Sequence, residues 1–508
     1  MTVGDLMSSL SGMTTSPVVG ASPAILEREV AAITYDSRRV EEGTVFVAVR
    51  GQRFDGTKFV SEAASHGAVL VVASSGQPDD AQVPWLTVTD ERVALAELST
   101  AFYGDPSKEL TVVGVTGTNG KTTTTYLISA IFAAAGWSCG RIGSVGYRTG
   151  ARETVADRTT PEAPEVQALL REMVGQGCTA CAMEVSSHAL AMRRVEGTQF
   201  AAAVFSNLTR DHLDYHLDME HYFATKRRLF EMLQTGAPAI INVDDPYGEQ
   251  IVAAVGRPVT YAITAAADVT AVGIDSTLEG SSIEVKTPRG HLRIRTRLLG
   301  RLNVYNVLAA VATAVALDVP FLAIEQGVAG LDGVPGRFEI VSTSDDDVSV
   351  IVDFAHTDDA LRSVLAAVRD LCQGRVITVF GCGGNRDAAK RPLMGAVADR
   401  LSDLVVVTSD NPRSEEPDDI IAEIRLGIKA PADPLHPTHV GIADRGDAIG
   451  HAVNLAEPGD AVVIAGKGHE THQLIGEERR PFNDRLVALT ALDRRRARVR
   501  FSQPSVEQ

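Results

Sequence analysis

Gly114-Val-Thr-Gly-Thr-Asn-Gly-Lys-Thr-Thr123 decides how this chain is read, because the apolar run Leu110 to Val115 leads directly into a glycine-rich turn and then a helix-forming stretch. Such a junction is a phosphate cradle. Backbone N–H groups of the turn and of the helix start point at an anion, Lys121 reaches the terminal phosphates of a nucleotide, and Thr122 offers a hydroxyl to Mg²⁺. The stretch therefore predicts ATP or GTP binding. The generic pattern G-x-x-x-x-G-K-[ST] would place a glycine at Val115, whereas the glycines here are Gly114 and Gly117, so the match is to a variant. A plain strand-to-helix turn would account for the glycines but not for Lys-Thr-Thr directly after the last of them.

Outward from the cradle, 508 residues exceed one core, and about three domains are expected from sizes of roughly 100–200 residues. A mean hydropathy of +0.03 and 44% apolar residues indicate a globular chain. With 48 basic against 65 acidic side chains the net charge is −17, which excludes a general polyanion-binding surface and hence nucleic acid. The five cysteines are expected to be reduced and mostly buried, since Cys178-x-x-Cys181 has no second pair to complete a metal site. The first thirty residues lack a basic segment followed by an apolar core, and no run of about eighteen apolar residues occurs. A cytoplasmic monomer without membrane insertion is expected.

Short β-rich runs, Thr44 to Val49 and Val69 to Ala73, predict a small α/β unit over residues 1–108. Residues 109–335 open with the cradle and continue through Ala180 to Val185, Ala201 to Phe205 and Ala239 to Val243. These near-continuous apolar strands between helices imply a mostly parallel sheet covered on both faces. Val334-Pro-Gly336 reads as a hinge into a third, Rossmann-like α/β unit over 336–508. Its strand candidates are Val350 to Phe354, Arg375 to Phe380, Leu404 to Thr408, His439 to Ile442 and Ala461 to Ile464. Four of those five lead into polar loops, where ligands collect in such sheets. Ala491 to Arg500 reads as a solvated basic helix end.

Those loops carry the remaining chemistry. Met183-Glu-Val-Ser-Ser-His188 ends a strand with a carboxylate, two hydroxyls and an imidazole, and Asn207-Leu-Thr-Arg-Asp-His-Leu-Asp-Tyr-His216 follows another. Beside a nucleotide cradle, Glu184 and the second loop gain weight as metal ligands, because Mg²⁺ needs few protein ligands when phosphates supply others. Lys226, in Thr225-Lys-Arg-Arg228, reads on composition alone as part of a solvated basic face. Val352-Asp-Phe-Ala-His356, Gly381-Cys-Gly-Gly-Asn-Arg-Asp387, Asp410-Asn-Pro-Arg413 and Gly466-Lys-Gly-His-Glu470 each follow a strand. A bare turn needs no arginine or glutamate, so a cleft is expected with nucleotide on one side and a polar small molecule on the other.

These residues resemble the Mur ligases, ATP-dependent amide-forming enzymes of peptidoglycan precursor synthesis. The resemblance rests on Thr116-Gly-Thr-Asn-Gly-Lys-Thr-Thr123, Glu184-Val-Ser-Ser-His188, Asn207 with Asp211-His212, Asn303-x-x-Asn306, Pro335-Gly-Arg-Phe338 and Asp353-x-Ala-His356. Asp36-Ser-Arg38, Phe46-Val-Ala-Val-Arg-Gly51 and Asp410-Asn-Pro-Arg413 resemble the MurE type, which adds the third residue of the peptide stem. The resemblance implies three domains: an N-terminal one for the UDP-sugar, a central ATPase and a C-terminal one for the amino acid. It implies that ATP is held by Gly117, Thr118, Asn119, Gly120, Lys121, Thr122 and Thr123 together with Asn303, Asn306, Arg337 and Asp353. Thr122, Glu184, His212 and Lys226 would hold Mg²⁺, with Lys226 carbamylated and Lys121, Glu184, His212 and Lys226 catalytic. Ser37, Thr159, Thr160, Ser186 and Arg194 match contacts to UDP-N-acetylmuramoyl-L-alanyl-D-glutamate. Arg386, Asp410, Asn411, Arg413, Gly466 and Glu470 match those around the incoming amino acid. Met192 stands where relatives often carry glutamine, Phe354 replaces a frequent tyrosine and Asp358 a frequent proline.

Arg413 carries the specificity expectation. Lysine and meso-diaminopimelate differ by one distal carboxylate, which a guanidinium binds with two charge-assisted hydrogen bonds, so meso-diaminopimelate is expected. The alternatives are the same ligase using L-lysine, a folate-type polyglutamate ligase, a plain P-loop kinase or GTPase, and a non-enzymatic nucleotide-dependent scaffold.

Overall fold

The structure, a computed structural model, describes residues 1–502 apart from positions 11, 16–18, 21, 52–54, 80–81, 278–279 and 430–437. It contains three separate large sheets that follow one another along the chain. In the first, strands Ala32–Thr34, Thr44–Val47, Leu70–Ala73 and Trp85–Thr87 pair in parallel and in sequence order. Strand period two divides its core, with Val45 and Val47 in one apolar cluster and Phe46, Val71 and Trp85 in another.

The second sheet has eleven strands, and the cradle strand Thr111–Thr116 lies at its centre between Ala180–Glu184 and Ala202–Phe205. Beyond these, Cys139–Ile142, Ala239–Asn242 and Pro258–Ala262 extend the parallel core. Helix Lys121–Ala134 packs on one face with Arg301–Ala316, whose Val307, Leu308, Val311 and Val315 are buried in the same cluster. Both ends of this sheet are antiparallel, which the apolar-run reading missed. Gly280–Thr287 pairs antiparallel with Val269–Thr277 and Gly290–Thr296, and a hairpin of Gly146–Thr149 and Arg152–Val155 closes the other edge. The physical reason is one-sided burial: Ile283 and Val285 are buried while Glu284 and Lys286 are exposed, an alternation that carries no continuous apolar run.

The third sheet runs Glu339–Ile340, Ser349–Asp353, Ala461–Ala465, Val376–Phe380, Leu404–Val407, His439–Gly441, and all but the first strand are parallel. Val334-Pro-Gly336 lies between helix Phe321–Ala329 and this sheet. The basic tail differs from its reading as a solvated helix end. Helix Asp484–Ser502 packs Ala488, Ala491 and Leu492 into the core, while Arg495 and Arg496 bind Asp347 and Asp346 at 2.6–2.8 Å. All five cysteines are free and only Cys372 is not buried, as expected. Among the described residues no helix is long and apolar enough to cross a membrane.

Candidate active site

The cradle stands at the carboxyl end of Thr111–Thr116, with neighbouring strands on either side, where ligands collect in a parallel sheet. Its shape depends on glycine at two positions. Gly117 (φ +144°) would drive a Cβ into Ser206 Oγ, and Gly120 (φ +88°) into Asn306 Oδ1. The loop after Ala202–Phe205 braces the turn: Asn119 N donates to Asn207 Oδ1 at 2.9 Å, and Ser206 Oγ donates to Asn119 O at 2.6 Å. Helix Lys121–Ala134 begins without a side-chain cap, which leaves its first N–H groups for an anion.

Lys121 folds back so that Nζ donates to Gly117 O (2.9 Å) and Thr118 O (2.8 Å). Lys226 Nζ donates to the same Gly117 O at 2.7 Å. Its side chain is 1% exposed and its ammonium lies 4.6 Å from the Tyr222 ring centre, which overturns the solvated-face reading. The cause is the helix Met219–Glu231, whose buried face consists of Tyr222, Phe223, Lys226, Leu229 and Phe230 at helical spacing. That stripe is the sequence signal composition overlooked: Lys226 sits in the middle of it. Burial first, and the Lys121 charge second, push the Lys226 amine well below its usual value.

Glu184, 1% exposed, accepts from Ser144 N (2.8 Å) and Ser144 Oγ (3.1 Å). Thr122 Oγ1 accepts from Arg337 Nη2 at 3.2 Å. His212 (φ +54°) packs edge-on against His188, and burial holds its imidazole down at about 3, so it is neutral near pH 7. Thr122, Glu184, His212 and Lys226 line one cavity of about 280 Å³ with the cradle. Among the described residues no group of three or more His, Cys, Asp or Glu side chains forms a metal cage. The hard oxygens of Glu184 and Thr122 beside a phosphate cradle nevertheless suit Mg²⁺, which takes one or two carboxylates plus phosphate oxygens and water.

The same cavity gathers Thr123, Asn303, Asn306, Arg337 and Asp353. Asn306 Nδ2 donates to Asn303 Oδ1 (2.9 Å) and Asn303 Nδ2 to Leu299 O (2.8 Å), so both amides are oriented. Arg337 crosses from the third sheet to the cradle with its guanidinium 4.5 Å from the Phe354 ring centre, so phenylalanine still supplies an aromatic face. Asp353 accepts from Phe338 N (2.6 Å) and Ala355 N (2.7 Å), while burial pushes its carboxyl above the usual range. Asp358 opens helix Asp358–Leu371, where an acidic residue suits the N-terminal dipole.

A second cavity, about 270 Å³, shares Asp211, His212, Phe354 and His356 with the first. Besides the loop that carries Phe354 and His356, three loops following strands of the third sheet line it, contributing Arg386, Asp410, Asn411, Arg413, Gly466 and Glu470. Arg413 (φ +52°) donates Nη1 to Gly384 O at 2.8 Å, and Asn411 Nδ2 donates to Glu470 Oε2 at 3.0 Å. Burial and the nearby Arg386 lower the Arg413 guanidinium. Among the described residues neither Arg386 nor Arg413 makes an ion pair, although Asp387, Asp410 and Glu470 line the same cavity.

Thr159, Thr160, Ser186 and Arg194 also converge. Thr159 Oγ1 lies 3.0 Å from Ser144 Oγ, Thr160 Oγ1 donates to Glu184 O (2.8 Å), and Arg194 donates to Thr160 O (3.0 Å) and Met192 Sδ (3.1 Å). Thr159 and Ser186 line the first cavity. Ser37 stands apart, with its hydroxyl donated to Glu62 at 2.7 Å and lining neither cavity. Sequence reasoning assigned no role to Ser144, Lys390, Lys467 or His469. Lys390 Nζ donates to His356 O at 2.7 Å in the second cavity. A neutral His469 ring donates from Nε2 to Ser144 O (3.0 Å) and accepts at Nδ1 from Arg337 (3.3 Å). Lys467 and His469 lie inside Gly466-Lys-Gly-His-Glu470, so the strand-to-polar-loop signal covers them; Ser144 has no comparable mark.

Family models match in chain order: "Mur ligase family, catalytic domain" over 29–103, "Mur ligase middle domain" over 115–314, and "Mur ligase, glutamate ligase domain" over 336–468. A UDP-N-acetylmuramoyl-L-alanyl-D-glutamate--2,6-diaminopimelate ligase of Geobacter metallireducens is 45% identical, covering 91% of this chain and 93% of its own. One of the same description from Gloeobacter violaceus is 46% identical over 92% and 95%. A solved structure so described superposes with a TM-score of 0.68 at 32% identity, over 97% of this chain and 99% of that one. With glycine-rich turn, bridging arginine and third-sheet loops around adjoining cavities, and relatives this similar along nearly the whole length, the chain belongs to the Mur ligase family.

Proposed function

We propose that this chain is the ATP-dependent ligase that joins meso-diaminopimelate to UDP-N-acetylmuramoyl-L-alanyl-D-glutamate during peptidoglycan precursor synthesis. The observation that carries the reading is the junction of the two cavities at Asp211, His212, Phe354 and His356. A phosphate cradle opens on one side of it, and on the other lie Arg386 and Arg413, neither in an ion pair among the described residues. The names of the relatives support the same substrates.

A carboxylate is a poor acyl donor, and phosphorylation gives it a leaving group. The D-glutamate γ-carboxylate attacks the γ-phosphorus in line, ADP departs, and an acyl phosphate forms. The amine of the incoming residue then attacks the acyl carbon, and phosphate leaves as the amide forms. Lys121 leaves its two carbonyls to meet the charge on the terminal phosphate, and Arg337 adds a second cation from the opposite domain. Glu184 and Thr122, with His212 and a carbamylated Lys226, would hold Mg²⁺, which neutralises charge on the phosphate oxygens. Thr159, Thr160, Ser186 and Arg194 position the dipeptide end of the UDP-sugar beside Glu184, and Ser37 belongs to its more distant part. Glu470 and Asn411 hold the amine end of the third residue, and Arg413 its distal carboxylate.

Incubation with the UDP-linked dipeptide, ATP and an equimolar mixture of L-lysine and meso-diaminopimelate is expected to yield ADP, phosphate and the diaminopimelate tripeptide by mass. A lysine product or a stable phosphoester would overturn the assignment. Carbamylation of Lys226 adds CO₂ to the neutral Nζ amine with loss of one proton, so that, counted from the ammonium, two protons leave and a buried cation becomes an anion beside Lys121. Carbon-13 bicarbonate is expected to give a carbamate NMR signal that Lys226→Gln abolishes. An equal signal from that variant would sink the modification.

A further inference from the structure

Behind the second cavity lies a lysine that touches its wall but not its interior. Lys467 follows strand Ala461–Ala465, and its side chain is fully buried. Its Nζ donates to Glu470 Oε2 at 2.7 Å and to Asn411 Oδ1 at 3.1 Å, and lies 3.6 Å from Asp410 Oδ1. Asp410 Oδ1 is itself buried without a hydrogen-bond partner. Leu474 N also donates to Asn411 Oδ1, at 2.9 Å, so this end of the amide is doubly committed and Nδ2 must face Glu470. All three partners of Lys467 line the cavity, whereas Lys467 does not.

We propose that Lys467 is a specificity-determining positioning residue: it fixes Asn411 and Glu470 and offsets one of the two carboxylates of this wall. The cavity then favours an amino-acid end that carries both an ammonium and a carboxylate over one that carries an ammonium alone. This rests on the ligase reading above. The distal end of diaminopimelate is a zwitterion of net charge zero, while that of lysine is a bare cation. Without Lys467 the wall is one unit more negative, which attracts the lysine cation and leaves the zwitterion nearly unaffected. One unit charge at about 6 Å with an effective dielectric constant of about 40 corresponds to a factor of about ten.

The test is the ratio of kcat/KM for meso-diaminopimelate to that for L-lysine in the full-length enzyme, with both amino acids in competition. Lys467→Met is expected to lower the ratio about tenfold, by a lower KM for lysine, while Lys467→Arg keeps it within about threefold of wild type. Adding Asp410→Asn to Lys467→Met restores the charge balance and is expected to bring the ratio back. A structural role alone would lower kcat or stability without moving the ratio. Should Lys467→Met not fold, Asp410→Asn alone is expected to move the ratio the opposite way. An unmoved ratio in the folded variant overturns the proposal. A wild-type enzyme that does not join diaminopimelate overturns the ligase reading and this inference together; one that does, with the ratio unmoved, overturns this inference alone.

Discussion

Replacing Arg413 by glutamine is expected to lower kcat/KM for meso-diaminopimelate by about 10²–10⁴ while that for L-lysine holds or rises up to about tenfold, because a cation leaves the cavity. The guanidinium is available because, among the described residues, its acceptors are the backbone carbonyls of Gly384 and Asn411. It is also held in place: Arg413 N donates to Leu474 O and Arg413 O accepts from Gly476 N, which clamps its left-handed backbone between two chain segments. Two hydrogen bonds to a carboxylate at about 1.5–3 kcal/mol each amount to about 3–6 kcal/mol, which is the source of that range. Sites built around a polar partner reject an analogue lacking it by about 10⁴–10⁵, so wild-type discrimination against lysine has the same origin. Glutamine keeps a polar side chain near the loop but removes the fork. Steady-state kinetics with each amino acid check the result, and an unchanged preference would remove Arg413 from the specificity role.

Lys121→Ala is expected to lower kcat by at least about 10²–10³, the usual loss when one preorganised electrostatic contact is removed. Its ammonium is already poised at the turn, held by Gly117 O and Thr118 O. Burial, with Glu184 and Asp211 opposing it, lowers its pKa, as befits a cation waiting for an anionic ligand. The fold should survive, because Lys226 still donates to Gly117 O and Gly117, Gly120 and Asn207 still shape the turn. Circular dichroism and thermal melting beside the activity assay separate the two effects. A variant with near-normal turnover would refute the nucleotide-cradle role.

Particular residues mark where sequence reasoning reached and where it stopped. The cradle is legible because a strand, glycines with forced backbone angles and Lys-Thr-Thr must be adjacent in sequence to work. The loops carrying Asp353, Arg386, Asn411, Arg413 and Glu470 are legible because each follows an apolar run, and parallel strands bring their ends to one edge. Gly280–Thr287 was not, since one-sided burial spreads its apolar residues at period two. Lys226 was misread for a related reason: composition counts charge, whereas burial depends on which helix face the sheet covers.

By itself, then, the sequence determined the order of three α/β units, the variant cradle and which loops carry polar chemistry, all properties of neighbours along the chain. Only the tertiary structure decided that Lys121 and Lys226 share Gly117 O, that Arg337 reaches Thr122 from another domain, and that Lys467 backs Asn411 and Glu470. The reason is that charge, burial and hydrogen bonding act through space over a few ångströms. Lys226 lies 109 residues beyond Gly117 and Arg337 lies 215 beyond Thr122, separations that local pattern does not span.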